Sequence, residues 1–217
     1  MKKMLTSFAV LLVVQLSFAQ VKSIEVSHYL FSDFTQGILL MKNGTQSNAM
    51  LNYNSVTEEM IFDNRGQKLA VSEADMQRID TVIIDGRKFV AVDAKFKEVL
   101  ISADFSLFAE HKCNINLPDK PSAYGGRSST SSISSYRQLS TSSGIYELQL
   151  PDGYEPKPYI VYWLKREDQK EKFINIRQLR RLYRAKRGDL RNYTREQDVD
   201  FNNQDDVARL IRFLEGK

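Results

Sequence analysis

A single cysteine and two histidines are all that the 217 residues hold of two side-chain types much used for nucleophilic and metal chemistry. One thiol excludes an intramolecular disulfide framework and a multi-thiolate metal site within the chain. There is no G-x-S-x-G elbow, no H-E-x-x-H and no G-x-x-x-x-G-K-[ST] spacing. Charge of one sign is also scarce. The formal net charge is +4, and Lys2 and Lys3 sit in a segment that reads as a removable leader, which leaves the rest near +2. That is too little for whole-chain attraction to nucleic acid, and no nucleic-acid partner is expected. At 42% hydrophobic and 27% charged, the composition is that of a globular protein and excludes wholesale disorder and fibrous repeats.

The one long apolar run lies at the start. Lys2 and Lys3 precede an almost wholly apolar stretch from Met4 to Phe18, and Ser17 and Ala19 stand at −3 and −1 of a cleavage site before Gln20. The run is short of the ~20 residues that span a bilayer. The reading is a signal peptide over 1–19, hence an exported protein, periplasmic or extracellular, with no membrane span after cleavage. Without internal disulfides, stability must come from apolar burial.

From Val21 to Leu117 the pattern is strand-like, with apolar and β-branched runs set off by turn residues. Gly37–Lys42 and Asn48–Tyr53 are joined through Asn43-Gly44. Met60 and Phe62 precede the loop Asn64-Arg65-Gly66. Ser72 opens a capped helical turn. Thr81–Ile84 and Arg87–Val92 flank Asp85-Gly86, the dipeptide that a type I′ hairpin favours. Phe96–Ile101 and Phe105–Asn116 form a further pair. From Ser122 to Gly144 Ser and Thr dominate, which marks a loop or linker. Tyr146–Leu150, Tyr159–Leu164 and Lys172–Ile174 read as strands, the second of them central because it is apolar on both faces.

The end of the chain is helical. Asn175 is the expected N-cap with Gln178 at the capping-box position, and Ile176, Leu179, Leu182 and Tyr183 make an apolar stripe. Gly188 is expected to end that helix, with a short second one at Leu190 and Tyr193. Val207, Leu210, Ile211 and Leu214 specify a last helix beginning near Asn203.

Several segments together carry a resemblance to a known group. Gly37 to Tyr53 with Lys42-Asn43-Gly44, then Leu51-Asn52-Tyr53-Asn54, the run Arg87-Lys88-Phe89-Val90, Ala123-Tyr124-Gly125-Gly126-Arg127-Ser128 and the tail Val207–Leu214 resemble a group of uncharacterised exported proteins of Bacteroidetes bacteria. The resemblance implies export from a Gram-negative cell and carries no activity or cofactor. The secretion-sorting domain common in those bacteria is a β-rich C-terminus. This chain ends in a helix, which favours the periplasm.

Candidate chemistry is thin. His111 and Cys113 share a strand face, so imidazole and thiol could meet; the plainer reading makes Cys113 a small buried hydrophobe. Glu58-Glu59, Glu167-Asp168 and Asp205-Asp206 read as solvated carboxylates. Tyr154, Tyr159, Tyr162 and Trp163, beside Pro156 and Pro158, form an aromatic group that suits either a core or a sugar platform. No catalytic, metal or cofactor residue is assigned.

The strongest feature is electrostatic. Lys165 to Arg195 holds twelve Lys or Arg and four Asp or Glu. On the first C-terminal helix Arg177, Arg180, Arg181 and Arg184 fall within a ~100° arc opposite the apolar stripe. They are the candidate anion-binding residues. The competing readings are pairing with Asp198, Asp200, Asp205 and Asp206 of the following segment, or plain solvation.

The expected fold is therefore α+β. It comprises a β-rich region over 20–118, a Ser-rich loop or linker over 119–145, and strands followed by a basic helical tail over 146–217. The expected function is a non-catalytic binding or structural protein of the cell envelope, its partner a protein or an anionic envelope component. The alternative is an envelope hydrolase with an unrecognised site.

Overall fold

The computed structural model describes residues 28–116 and 155–216, with three two-residue strands between them. The leader, Tyr146–Leu150, Tyr154 and most of the Ser-rich segment lie outside the described residues.

The chain runs β1 (Thr35–Met41), β2 (Gln46–Asn54), β3 (Glu59–Asn64), β4 (Gln67–Ala70), α1 (Glu73–Arg78), β5 (Ile79–Ile84), β6 (Arg87–Val92), β7 (Lys95–Ser102) and β8 (Phe105–Asn116). The short strands β9 (Lys120–Pro121), β10 (Arg127–Ser128) and β11 (Ser132–Ile133) follow, then β12 (Glu155–Arg166) and β13 (Gln169–Phe173). Three helices close it: α2 (Ile176–Leu182), α3 (Arg187–Glu196) and α4 (Gln204–Glu215). The fold is α+β and mostly β.

One antiparallel sheet holds eleven strands, ordered β13-β12-β8-β7-β6-β5-β1-β2-β3-β4 with β11 also beside β8. The expected hairpins form. Asp85 and Gly86 turn at φ of 49° and 74°, the left-handed pair that a type I′ turn needs. β12 lies beside β8 along its length and has β13 on its other edge over Tyr162–Arg166, the interior place expected of it.

The sheet is not flat. β8 and β2 are five places apart in the order, about 24 Å at the usual strand spacing. Yet the rings of Tyr53 on β2 and His111 on β8 have centroids 6.3 Å apart. Glu58, in the β2–β3 turn, binds Lys112 on β8 at 2.9 Å and also binds Lys95 on β7. The N-terminal strands therefore roll over onto β7 and β8. The inside of the roll is one core cluster, with Leu51, Tyr53, Met60, Val82, Ile84, Phe89 and Phe96 nearly or wholly buried. Gly37 on β1 is closely approached by its neighbours. A Cβ there would meet Leu51 Cδ1 at 2.7 Å and the Ile83 carbonyl oxygen at 2.8 Å.

A second core cluster lies where the helices pack on β7, β8, β12 and β13. It joins Leu107, Tyr162, Leu164 and Phe173 to Leu179, Leu190, Val207, Leu210, Ile211 and Leu214. The apolar stripe of α4 is buried as its spacing dictates. Asn175 caps α2 by accepting from the Gln178 amide. The Gln178 side chain returns to the amide of Ile174, one residue before the expected capping-box partner.

One boundary differs from expectation. α2 ends at Leu182, not at Gly188, and Tyr183 leaves helical geometry with φ −108° and ψ 54°. A 3₁₀ turn over Arg184–Lys186 follows, and Gly188 lies inside α3. The reason is tertiary. The Tyr183 hydroxyl donates to Glu215, and the Arg166 guanidinium lies 4.8 Å from its ring centroid. Burying that side chain decides where the helix breaks.

Candidate functional site

Arg177, Arg180 and Arg181 project from α2, and Arg184 from the 3₁₀ turn, so the helical arc expected for all four holds three. All four are exposed. None forms an ion pair or side-chain hydrogen bond with another described residue. Residues 176–196 carry eight Lys or Arg against two Asp or Glu, so this stretch has a formal charge of +6. The acidic segment does not fold back on the stripe. Asp206 pairs with Arg209 and accepts from the Asp200 amide at 3.1 Å. Asp200 in turn accepts from Asn202.

The structure does not join His111 to Cys113. The Cys113 thiol donates to the Asn114 carbonyl at 3.4 Å. Burial pushes it up to about 11, so it is not a thiolate at neutral pH. His111 instead meets Glu98, a residue the sequence did not single out. Its Nε2 lies 2.7 Å from Glu98 Oε2. Arg87 grips the same carboxylate in two-point fashion, Nε to Oε1 at 2.8 Å and Nη2 to Oε2 at 2.6 Å. Gln204, at the start of α4, donates to Glu98 Oε1 at 3.0 Å and accepts from Arg87 Nη2 at 3.3 Å.

These four side chains come from β6, β7, β8 and α4. Only 4% of the Glu98 side chain and 7% of the His111 side chain are exposed. Burial acts to raise the Glu98 carboxyl, but hydrogen bonds from Arg87 and His111 outweigh it and hold it at about 2. Burial pulls His111 below its usual range, against the pull of Glu98. The ring is therefore neutral at pH 7. The two hydrogens of Arg87 Nη2 go to Glu98 and Gln204. The His111 proton is thus assigned to Nε2, where it is donated to Glu98.

His111 and Arg87 line an open cleft of about 500 Å³, within the size range of small-molecule sites. Its walls are Tyr29 and Leu30, Pro158 to Ile160 of β12, and the segment around Asn202 and Asn203 that leads into α4. Lys112 and Asp200 stand in its lining.

The aromatic group of β12 is divided by strand alternation. Tyr162 is buried, stacked on Phe173 at 5.3 Å. Trp163 faces the other way, donates to Glu110 at 2.7 Å, and has the ammonium groups of Lys97, Lys170 and Lys172 4.3–5.6 Å from a ring centroid. Tyr159 lines the cleft. Of the carboxylates read as solvated, Glu58 and Asp206 are not: Asp206 pairs with Arg209, and Glu58 is the partner of Lys95 and Lys112 that closes the roll.

Among the described residues no three His, Cys, Asp or Glu side chains gather as metal ligands, and no helix is long and apolar enough to cross a membrane. Comparison with family models, curated proteins and solved structures found no match.

Proposed function

We propose that this is an exported, non-catalytic binding protein of the cell envelope whose partner is an anionic envelope polymer. The contact surface is the basic side of the helical layer, with Arg177, Arg180, Arg181 and Arg184 at its centre. The observation that carries the reading is that these arginines are exposed while Asp200 and Asp206, once candidates to neutralise them, are engaged elsewhere. Guanidinium groups suit this task because their planar fork matches carboxylate and phosphate oxygens. Export, and the Ser-rich segment as a connecting loop, belong to the same reading.

The test is retention of the purified protein on a polyanion matrix. The unmodified protein should bind at low salt and elute steeply as salt rises, because exposed charges are screened beyond ~8 Å at physiological ionic strength. Joint reversal Arg177→Glu, Arg181→Glu and Arg184→Glu should abolish retention. No internal pair is broken, so its stability should stay within about 0.5 kcal/mol of the parent. Retention that survives the reversal would sink the proposal.

A second reading, an envelope hydrolase, draws on the Glu98–His111 contact at the cleft. An imidazole held by a carboxylate is the usual form of a general base. Against it, no hydroxyl or thiol among the described residues hydrogen-bonds to that imidazole.

A further inference from the structure

We propose that the cleft is a second, separate binding site, specific for a small organic monocarboxylate that Arg87 and His111 hold together. This stands independently of the arginine surface, since it rests on different residues and a different part of the fold.

The argument begins with a cost. A buried ion pair contributes little net stability compared with apolar residues of the same volume. Here a carboxylate, a guanidinium and an imidazole are nevertheless assembled from three adjacent strands and braced by a glutamine from a helix 106 residues away. The result is a rigid Arg87, its Nε and Nη2 committed to Glu98 and its carbon centre 5.1 Å from the Phe31 ring centroid. Two nitrogens of the network have no partner among the described residues: Arg87 Nη1 and His111 Nδ1. Both belong to side chains that line the cleft, and His111 is more than nine-tenths buried. An imidazole nitrogen that no protein group engages, on a side chain that lines the cleft beside a fixed guanidinium, is a site for a polar ligand.

Arg87 Nη1, and His111 Nδ1 once it carries a proton, supply two donors for the two oxygens of one carboxylate. The surrounding charges set the limit at a single negative charge. Glu98 lies directly beneath, Asp200 stands in the wall, and Lys112 is already shared by Glu58 and Glu110. A phosphate dianion would face more repulsion than the free donors offset. The body of the ligand meets Tyr29, Tyr159, Pro158 and Ile160 on its apolar side and the amides of Asn202 and Asn203 on its polar side. That lining accepts a ring, whether a sugar or an aromatic one.

Binding must also move a proton. With Nε2–H given to Glu98, Nδ1 of the neutral ring presents a lone pair to the cleft, which repels an anion. A bound carboxylate draws a proton from solvent onto Nδ1. The groups that face this ring are Glu98 from β7, Arg87 from β6 and the edge-on ring of Tyr53 from β2, with Ile160 beside it on β12. Where His111 is neutral in the free protein and protonated in the complex, affinity should rise roughly tenfold for each pH unit lowered.

The experiment is calorimetric titration of the intact protein with D-glucuronate and with benzoate, at pH 5.5 and 7.5, in two buffers of different ionisation heat. D-glucose and inorganic phosphate are the controls. The expected result is binding of at least one carboxylate, tighter at pH 5.5, with uptake of close to one proton at pH 7.5 and a His111 ring signal that moves to its imidazolium position by NMR. Which carboxylate binds reports whether the ring is sugar or aromatic. His111→Gln should abolish proton uptake and flatten the pH dependence, and because the NMR readout uses the unmodified protein, it stands even if that variant folds poorly. Glucose binding as well as glucuronate, phosphate binding better than either carboxylate, or a carboxylate that binds without proton uptake would overturn the proposal. So would no binding at pH 5.5. None of these outcomes depends on retention by a polyanion.

Discussion

A carboxylate as enclosed as Glu98 persists in a sheet interior because Arg87, His111 and Gln204 all reach it. Its folded value of about 2 lies below the ordinary 4.5, so its contribution to stability is fully present above that ordinary value. It is lost as pH falls through the folded one. The difference corresponds to about 3 kcal/mol. Glu98→Gln should therefore destabilise the protein at pH 7, where Arg87 is left without its counter-charge, and the gap between parent and variant should shrink from pH 4.5 towards 2. Urea unfolding midpoints across that range check it; a gap that stays constant would remove Glu98 as the origin. The local sequence around Glu98 carries little sign of this role. Lys97-Glu98 lies inside the apolar run Phe96–Ile101, and period-two alternation places Glu98 on the same face as Phe96. Nothing near it names partners 11, 13 and 106 residues away. Charges within an apolar strand run were the available signal. His111 was legible as a candidate, but strand spacing supplied Cys113 as its partner when the real one stood on the neighbouring strand.

Hairpins and caps could be read directly because their chemistry is local. Asp85-Gly86 takes two left-handed residues, Ser72 accepts from the Asp75 amide, and Asn175 caps α2. The end of α2 could not, because a tertiary contact of Tyr183 overrides the glycine that follows. Gly188 has no left-handed φ and nothing within 4 Å of a would-be Cβ, so alanine fits there. Gly37 is the opposite case. Gly37→Ala forces Leu51 and the β5 backbone apart and should cost about 1–3 kcal/mol, as overpacking does, while Gly188→Ala should be neutral or slightly stabilising. Thermal unfolding of the two variants side by side decides this, and equal midpoints would contradict the close approach of β1 to its neighbours.

The rolled sheet is a property of the whole molecule and has no signature in any single segment. Antiparallel strands were evident from spacing, whereas their order, with β5 returning beside β1, was not. Glu58 is the side chain by which the roll meets β7 and β8, and its pairs with Lys95 and Lys112 are only partly exposed. Glu58→Gln should loosen that seam by about 1 kcal/mol, seen as faster hydrogen exchange in β2 and β3 with β12 unaffected. Uniform protection in both proteins would mean that apolar packing alone holds the seam. The end strands of the sheet have a further consequence. β4 has four residues and β13 five, and β13 reads Gln-Lys-Glu-Lys-Phe. Such short, charged margins are poor templates for a passing chain. An unfolded neighbour that meets either margin finds few amides and carbonyls to pair with and a lysine beside them. The two end strands thus give crowded copies little to build a fibre on.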